Sequence, residues 1–134
     1  MKKILFVCIE NSNRSQMAEA FAKMHGNKQV EAYSAGSNPS GKINPKAIQA
    51  MKEKNYDLNT HSSISIDEIS PDINFDFLVS MGCGDACPHV PAKKRIEWDI
   101  PDPKEKSPEE FNKVRDLIED KVKELLKLAI DDNS

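Results

Sequence analysis

Cys8 and Arg14 are the first residues whose types and spacing could do chemistry. A thiol ends the apolar run Ile4 to Val7, and a guanidinium stands six positions on, where a helical pattern begins. Ile9, Glu10, Asn11, Ser12 and Asn13 lie between them, small or polar apart from Ile9, and Ser15 follows. A strand end, a loop and a helix start in that order make an anion site. Successive loop amides can point inward, the helix N-terminus adds positive potential, and a guanidinium can hold two oxygens of a tetrahedral oxyanion. The same field favours the thiolate form of Cys8, the form in which cysteine is a nucleophile, and Ser15 can donate a further hydrogen bond to it. On spacing alone, a buried strand cysteine followed by an exposed helix arginine remains the plain alternative.

The chain has three cysteines in all, too few for a secreted disulfide scaffold. In a reducing compartment such cysteines are buried packing, metal ligands or reactive thiols. Cys83 and Cys87 with His89 offer three zinc donors, but a closed structural site needs four and this spacing fits no common pattern. Two carboxylates, Asp99 and Asp102, flank Ile100 and Pro101, and Asp102 precedes Pro103; read alone, that is a turn-forming aspartate.

The elements that must position these groups follow from periodicity. Lys3 to Cys8 reads as a buried strand of a parallel sheet. Met17, Ala18, Phe21, Ala22 and Met24 recur at helical spacing from Ser15, and Gly26 is expected to end that helix in the left-handed conformation. A second strand is expected over Val30 to Ala35 and a turn-rich stretch over Gly36 to Gly41. Asn44 and Pro45 suit the N-cap and first position of a helix whose inward face carries Ile48 and Met51. Ser65 and Glu68 have capping-box spacing for a short helix near Ile66 to Ile69, ended by Pro71. A further strand is expected over Phe75 to Met81 and a weak one over Arg95 to Trp98. Ser107, Pro108 and Glu110 then open a long final helix with an apolar stripe of Phe111, Val114, Ile118, Val122, Leu125 and Ala129.

Strands alternating with helices imply an α/β fold, a flavodoxin-like three-layer sandwich with a four-stranded parallel sheet and helices on both faces. One domain spanning 1–134 is expected from the length. Ligands of such sheets sit at the carboxyl ends of the strands, where Cys8, Cys83 and Asp102 all fall. Charged residues at 31%, hydrophobic residues at 38% and a net charge of −3 suit a soluble folded protein. They argue against nucleic acid as a partner, since the longest basic run, Lys93, Lys94 and Arg95, is short and isolated in an acidic chain. The longest apolar run, Ile4 to Ile9, falls far below the roughly 20 residues a bilayer span needs, so no membrane partner and a cytoplasmic location are expected.

Cys8 to Ser15, with Met17, Ala18 and Glu19 behind it, resembles the signature of the low-molecular-weight protein tyrosine phosphatase superfamily. Tyr33-Ser34-Ala35-Gly36 resembles its second-strand segment, and Trp98-Asp99-Ile100-Pro101-Asp102-Pro103 its Asp-Pro loop. The resemblance implies a thiolate nucleophile at Cys8, oxyanion binding by Arg14 and the amides of Ile9 to Ser15, and proton transfer at the leaving oxygen by Asp102, with Asp99 as runner-up. A carboxyl group beside a bound oxyanion can be held protonated for that purpose. Within the superfamily, Met81-Gly82-Cys83-Gly84-Asp85-Ala86-Cys87-Pro88 resembles arsenate reductases of the thioredoxin-coupled type. That resemblance implies that Cys83 attacks the Cys8 adduct and Cys87 then pairs with Cys83, the disulfide being recycled by thioredoxin or a low-molecular-weight thiol. The substrate expected is arsenate or a phosphate-like oxyanion, and the protein a monomer. A phosphatase acting through a Cys8 phosphocysteine is the second reading, and a non-catalytic oxyanion-binding or redox-sensing module the third. Lys104 and Glu105 stand where tyrosine phosphatases of this kind carry aromatic residues. Glu10 replaces a glycine common in the loop and is expected to face solvent, and Asn13 replaces a cysteine found in thioredoxin-linked members. No metal site or other cofactor is expected, although Asn11, Glu19 and Ser34 match positions that bind potassium in some relatives.

Overall fold

Cys8 is carried by strand β1, Lys2–Cys8, which lies inside a four-stranded parallel sheet of order β2-β1-β3-β4. The computed structural model describes residues 2–26, 28–70, 72–81 and 90–131. Strand β2 is Val30–Gly36, β3 is Phe75–Ser80 and β4 is Ala92–Glu97. The register sets Cys8 beside Gly36 and Val7 beside Ser80, so the carboxyl ends of three strands meet at one edge.

Alternation along β1 divides the core. Ile4, Phe6 and Cys8 face helices α1 (Arg14–His25), α2 (Pro45–Lys52) and α3 (Pro108–Asp131), in one cluster with Phe21, Met51, Phe77 and Phe111. Leu5 and Val7 face the other way, against Phe75, Leu78 and the isoleucines Ile64, Ile66, Ile69 and Ile73. Among the described residues that second face is covered by a 3₁₀ turn, Ile66–Glu68, with its flanking chain, and by Val90; the Ser65 and Glu68 capping box is formed in full. Each fully buried Phe contributes roughly 1.5–3 kcal/mol relative to exposure. The stripe expected on α3 is buried at all six of its positions.

Several expectations are corrected in detail. Strand β4 runs over Ala92–Glu97, ahead of the expected Arg95 to Trp98, because pairing with β3 rather than hydrophobic pattern defines it. It is an edge strand, where Lys93 reaches Asp76 at 3.3 Å and Lys94 lies over the Phe77 ring. Arg14, expected where the helical pattern begins, is the first residue of α1. Helix α2 buries Ala47, Ala50 and Met51, with Ile48 only partly covered. Ser107 caps α3 by accepting from the Glu110 amide at 3.3 Å, but the Glu110 carboxylate turns to Lys113 at 3.2 Å. Pro71 lies outside the described residues.

Gly26 ends α1 in the ordinary right-handed region, at φ −78°, not the left-handed one. Its glycine is required by space instead, since a Cβ there would stand 2.3 Å from Val30 Cγ2 and 2.5 Å from the Ala22 carbonyl oxygen. Gly26→Ala is therefore expected to destabilise the fold by about 1–3 kcal/mol, as overpacking does. Urea denaturation checks this, and an unchanged midpoint would mean that β2 yields at no cost.

Candidate active site

The loop from Cys8 to Arg14 is shaped by its carbonyls, each of which is drawn away from the loop's interior. The Cys8 carbonyl accepts from the Ser37 amide at 3.2 Å, that of Ile9 from Asn38 at 2.8 Å, and that of Glu10 from Ser40 at 3.0 Å. Those of Ser12 and Asn13 accept from the Asn44 and Met17 amides at 3.1 and 3.0 Å. The Asn11 carbonyl, the remaining one, accepts from Gln16 Nε2 at 3.0 Å. In a planar trans peptide the N–H of the next residue points opposite to the carbonyl, so outward carbonyls turn a succession of amides inward. That concavity attracts anions, and the start of α1 at Arg14 adds its positive end.

Asn11 makes the bend possible. It takes φ +51°, in the left-handed region where asparagine is among the tolerated residues, and its side chain locks it there. Asn11 Oδ1 accepts from the Ile64 amide at 2.9 Å and Nδ2 donates to Ser15 Oγ at 2.8 Å. Since Ser15 Oγ accepts from Asn11, its own proton is free for Cys8 Sγ, 2.8 Å away. The Asn11 amide also donates to that sulfur, at 3.3 Å. The buried sulfur of Cys8 thus lies within hydrogen-bond distance of the Ser15 hydroxyl and the Asn11 amide.

Arg14 is buried and held from the opposite side, where its NH1 donates to the Ile100 carbonyl at 2.9 Å. The segment carrying Ile100 is anchored by Trp98, whose ring lies 6.0 Å from that of Phe6, and by buried Ile100 and Pro103. Asp102 Oδ2 stands 4.0 Å from Arg14 NH2. Cys8, Ile9, Glu10, Arg14, Asp102 and Lys104 are among the residues that line one pocket of about 260 Å³, which Ser12, Asn13 and Asn38 complete. Asp99 lies on a neighbouring hollow with Arg14, Glu97, Trp98 and Ile100, outside the one that holds Cys8. Glu10 turns to Lys104, with 3.0 Å between Oε1 and Nζ. Asn13 Oδ1 is buried without a hydrogen-bond partner among the described residues. Cys83 and Cys87, with Gly82, Gly84 and His89, lie outside the described residues.

Several supporting residues were not singled out by sequence reasoning. Gln16 donates through Nε2 to the carbonyls of Asn11 and Ser62, so its Oε1 must accept from His61 Nδ1, 2.9 Å away. His61 Nε2 then accepts from Tyr56 Oη at 2.6 Å. Burial pushes the imidazole below its ordinary pKa, against the pull of Glu19, which agrees with this neutral tautomer. The only signal for Gln16 is its place in the first turn of α1.

Of the residues matched to potassium ligands, Glu19 is already satisfied. Ser34 Oγ donates to its Oε1 and Lys23 Nζ meets its Oε2, both at 2.6 Å. Asn11 Oδ1 is likewise taken by Ile64. Among the described residues no group of three or more His, Cys, Asp or Glu side chains could hold a metal, and no helix is long and apolar enough to cross a membrane.

A family model, Low molecular weight phosphotyrosine protein phosphatase, matches residues 3–133. A curated relative, Arsenate reductase 2 of Staphylococcus saprophyticus subsp. saprophyticus, is 42% identical over 127 residues, covering 92% of this chain and 95% of its own. Among solved structures, one of an arsenate reductase in the phosphate binding state superposes with a TM-score of 0.86 at 35% identity, covering 95% of this chain and 98% of that one. A thioredoxin-dependent arsenate reductase of Corynebacterium glutamicum gives 0.79 at 28% identity, covering 96% of this chain and 63% of that longer one.

The donor role derived for Ser15 has a direct consequence. Ser15→Ala should slow alkylation of Cys8 by iodoacetamide at neutral pH by about 10-fold, the equivalent of losing one hydrogen bond of ~1.5 kcal/mol to a charged group. Peptide mapping of the Cys8 adduct measures it, and a rate equal to the parent's would show that the hydroxyl does not serve the sulfur.

Proposed function

Because the chain belongs to the low molecular weight phosphotyrosine protein phosphatase family, matched over residues 3–133, we propose that it is an arsenate reductase whose nucleophile is Cys8. The observation that carries this reading is the loop whose carbonyls all turn outward around a cysteine with two donors on its sulfur. The names of the relatives supply the oxyanion, arsenate.

On this reading arsenate sits among the loop amides with Arg14 on its oxygens. The Cys8 thiolate forms a sulfur–arsenic bond, and a hydroxyl leaves as water with a proton from Asp102. Reduction needs two electrons, which thiols give in pairs. The Cys83 thiolate attacks Cys8 sulfur, the sulfur–sulfur bond forms, and the electron pair of the broken sulfur–arsenic bond leaves with arsenic as arsenite. Cys87 then attacks Cys83, freeing the Cys8 thiolate and leaving a Cys83–Cys87 disulfide for reduction by thioredoxin or a low-molecular-weight thiol. A cytosolic, reducing compartment suits that cycle.

Hydrolysis of phosphate monoesters is the second reading, because the same loop suits phosphate. The charged Lys104 at the pocket, where an aryl ring would rest, argues against it.

Cysteine variants separate the two. Cys8→Ser should abolish both activities. Cys83→Ser should stop arsenite release, while Cys87→Ser should complete one turnover and accumulate a Cys8–Cys83 disulfide, detectable by peptide mapping. Neither of these two should change aryl phosphate hydrolysis, which needs only Cys8, water and an acid. Arsenite release with all three thiols still reduced would overturn the cascade.

Asp102→Asn should lower kcat for arsenate roughly 100-fold or more with little change in oxyanion affinity, as expected for lost proton transfer. Steady-state kinetics decide it, and the same loss from Asp99→Asn alone would move the acid role to Asp99.

A further inference from the structure

Glu10 is the one acidic residue of the loop from Cys8 to Arg14, and it lines the pocket that must admit an anion. A carboxylate there opposes entry of a dianion. Against this stands Lys104. Its Nζ meets Glu10 Oε1 at 3.0 Å, joining the anion loop to the segment after the Asp-Pro turn.

The partner side of this contact is held in place. The Lys104 amide donates to Asp102 Oδ1 at 3.0 Å, the Lys106 amide to the Pro103 carbonyl at 3.0 Å, and Lys46 Nζ on α2 to the carbonyls of Lys104 and Lys106 at 3.3 and 3.2 Å. Four hydrogen bonds therefore fix the backbone from which the Lys104 side chain reaches across. Exposed ion pairs between two free side chains add little to stability, so a backbone prepared in this way points to a role other than holding the fold. The hydrogen bond to Glu10 also raises the pKa of the Lys104 ammonium, which keeps its charge.

We propose that Lys104 is a positioning residue for oxyanion binding, which cancels the Glu10 carboxylate across the pocket mouth so that a dianion can reach the loop amides and Arg14. Its value lies in electrostatic compensation and not in touching the anion. The proposal rests on the oxyanion-binding part of the reading above, and its test does not require turnover.

The readout is binding of inorganic phosphate, measured by protection of Cys8 from iodoacetamide with peptide mapping. At low ionic strength Lys104→Met should weaken phosphate binding roughly 5-fold, a gap that narrows as added salt screens the half-buried Glu10 carboxylate. Lys104→Arg should bind as the parent does. The double variant Glu10→Gln with Lys104→Met should return to within about 2-fold of the parent, because neither charge then remains to be balanced. Thermal unfolding of each variant confirms that the fold is kept. If the double variant binds as weakly as Lys104→Met, Lys104 is itself an anion ligand and the proposal falls; if Lys104→Met binds as the parent does, the pair has no part in binding and it falls equally. Failure of phosphate to protect Cys8 even in the parent would instead overturn the oxyanion reading on which it rests.

Discussion

The outward turn of the carbonyls from Cys8 to Asn13 is the constraint on which the rest of the site depends. An anion is attracted to a loop only if several amides face it together, and peptide planarity makes that equivalent to removing the carbonyls. The chain from Ser37 to Asn44 removes four of them. It can do so because Gly36 lets β2 end against the loop; a Cβ there would lie 2.6 Å from the Ile9 carbonyl oxygen and 3.0 Å from the Asn11 amide nitrogen. The second face of the sheet contributes as well. Ile64, packed with Leu5 and Val7, donates its amide to Asn11 Oδ1, so core packing and loop conformation are joined at one residue.

How much of this could be read beforehand depends on where each partner lies. Strand, loop and helix around Cys8 are encoded locally, in an apolar run followed by helical spacing, and right-handed crossovers leave few sheet orders to choose from. The Asn44 cap and the Ser65–Glu68 box are also local, and both form. Strand β4 is not local. Its Lys93-Lys94-Arg95 core has no strand pattern, and only pairing with β3 makes it one. Gly26 was misread because a helix-ending glycine usually signals handedness, whereas here it signals the approach of Val30. The supports of the loop are the least local of all. Ser62, Ser63 and Ile64 reach it from a segment without periodicity, and nothing in the types of Gln16 or His61 marks them as its scaffold.

Glu10 shows why a departure from a family pattern needs its surroundings before it can be judged. A carboxylate in an anion loop reads as a defect, or as a side chain that must turn to solvent. It does turn outward, but to a specific cation whose backbone is tied to α2. On the proposal made for Lys104, the loop would keep its attraction for anions while carrying a charge that would otherwise oppose them.

Arg14 joins the two halves of the proposed chemistry. Its guanidinium has donors to spare, and one of them is spent on the Ile100 carbonyl, two residues before Asp102. The bond ties the guanidinium to the Asp-Pro segment, and Arg14 and Asp102 line the same pocket. Phe6 on β1 repeats the link from below, through Trp98. On the proposed reading, an oxyanion on Arg14 would lie close to Asp102, whose Oδ2 stands 4.0 Å from Arg14 NH2, and the proposed acid would need no separate element to bring it to the leaving oxygen. A lysine at this position could supply the charge but not the planar fork, and the coupling between binding and proton delivery would be lost with it.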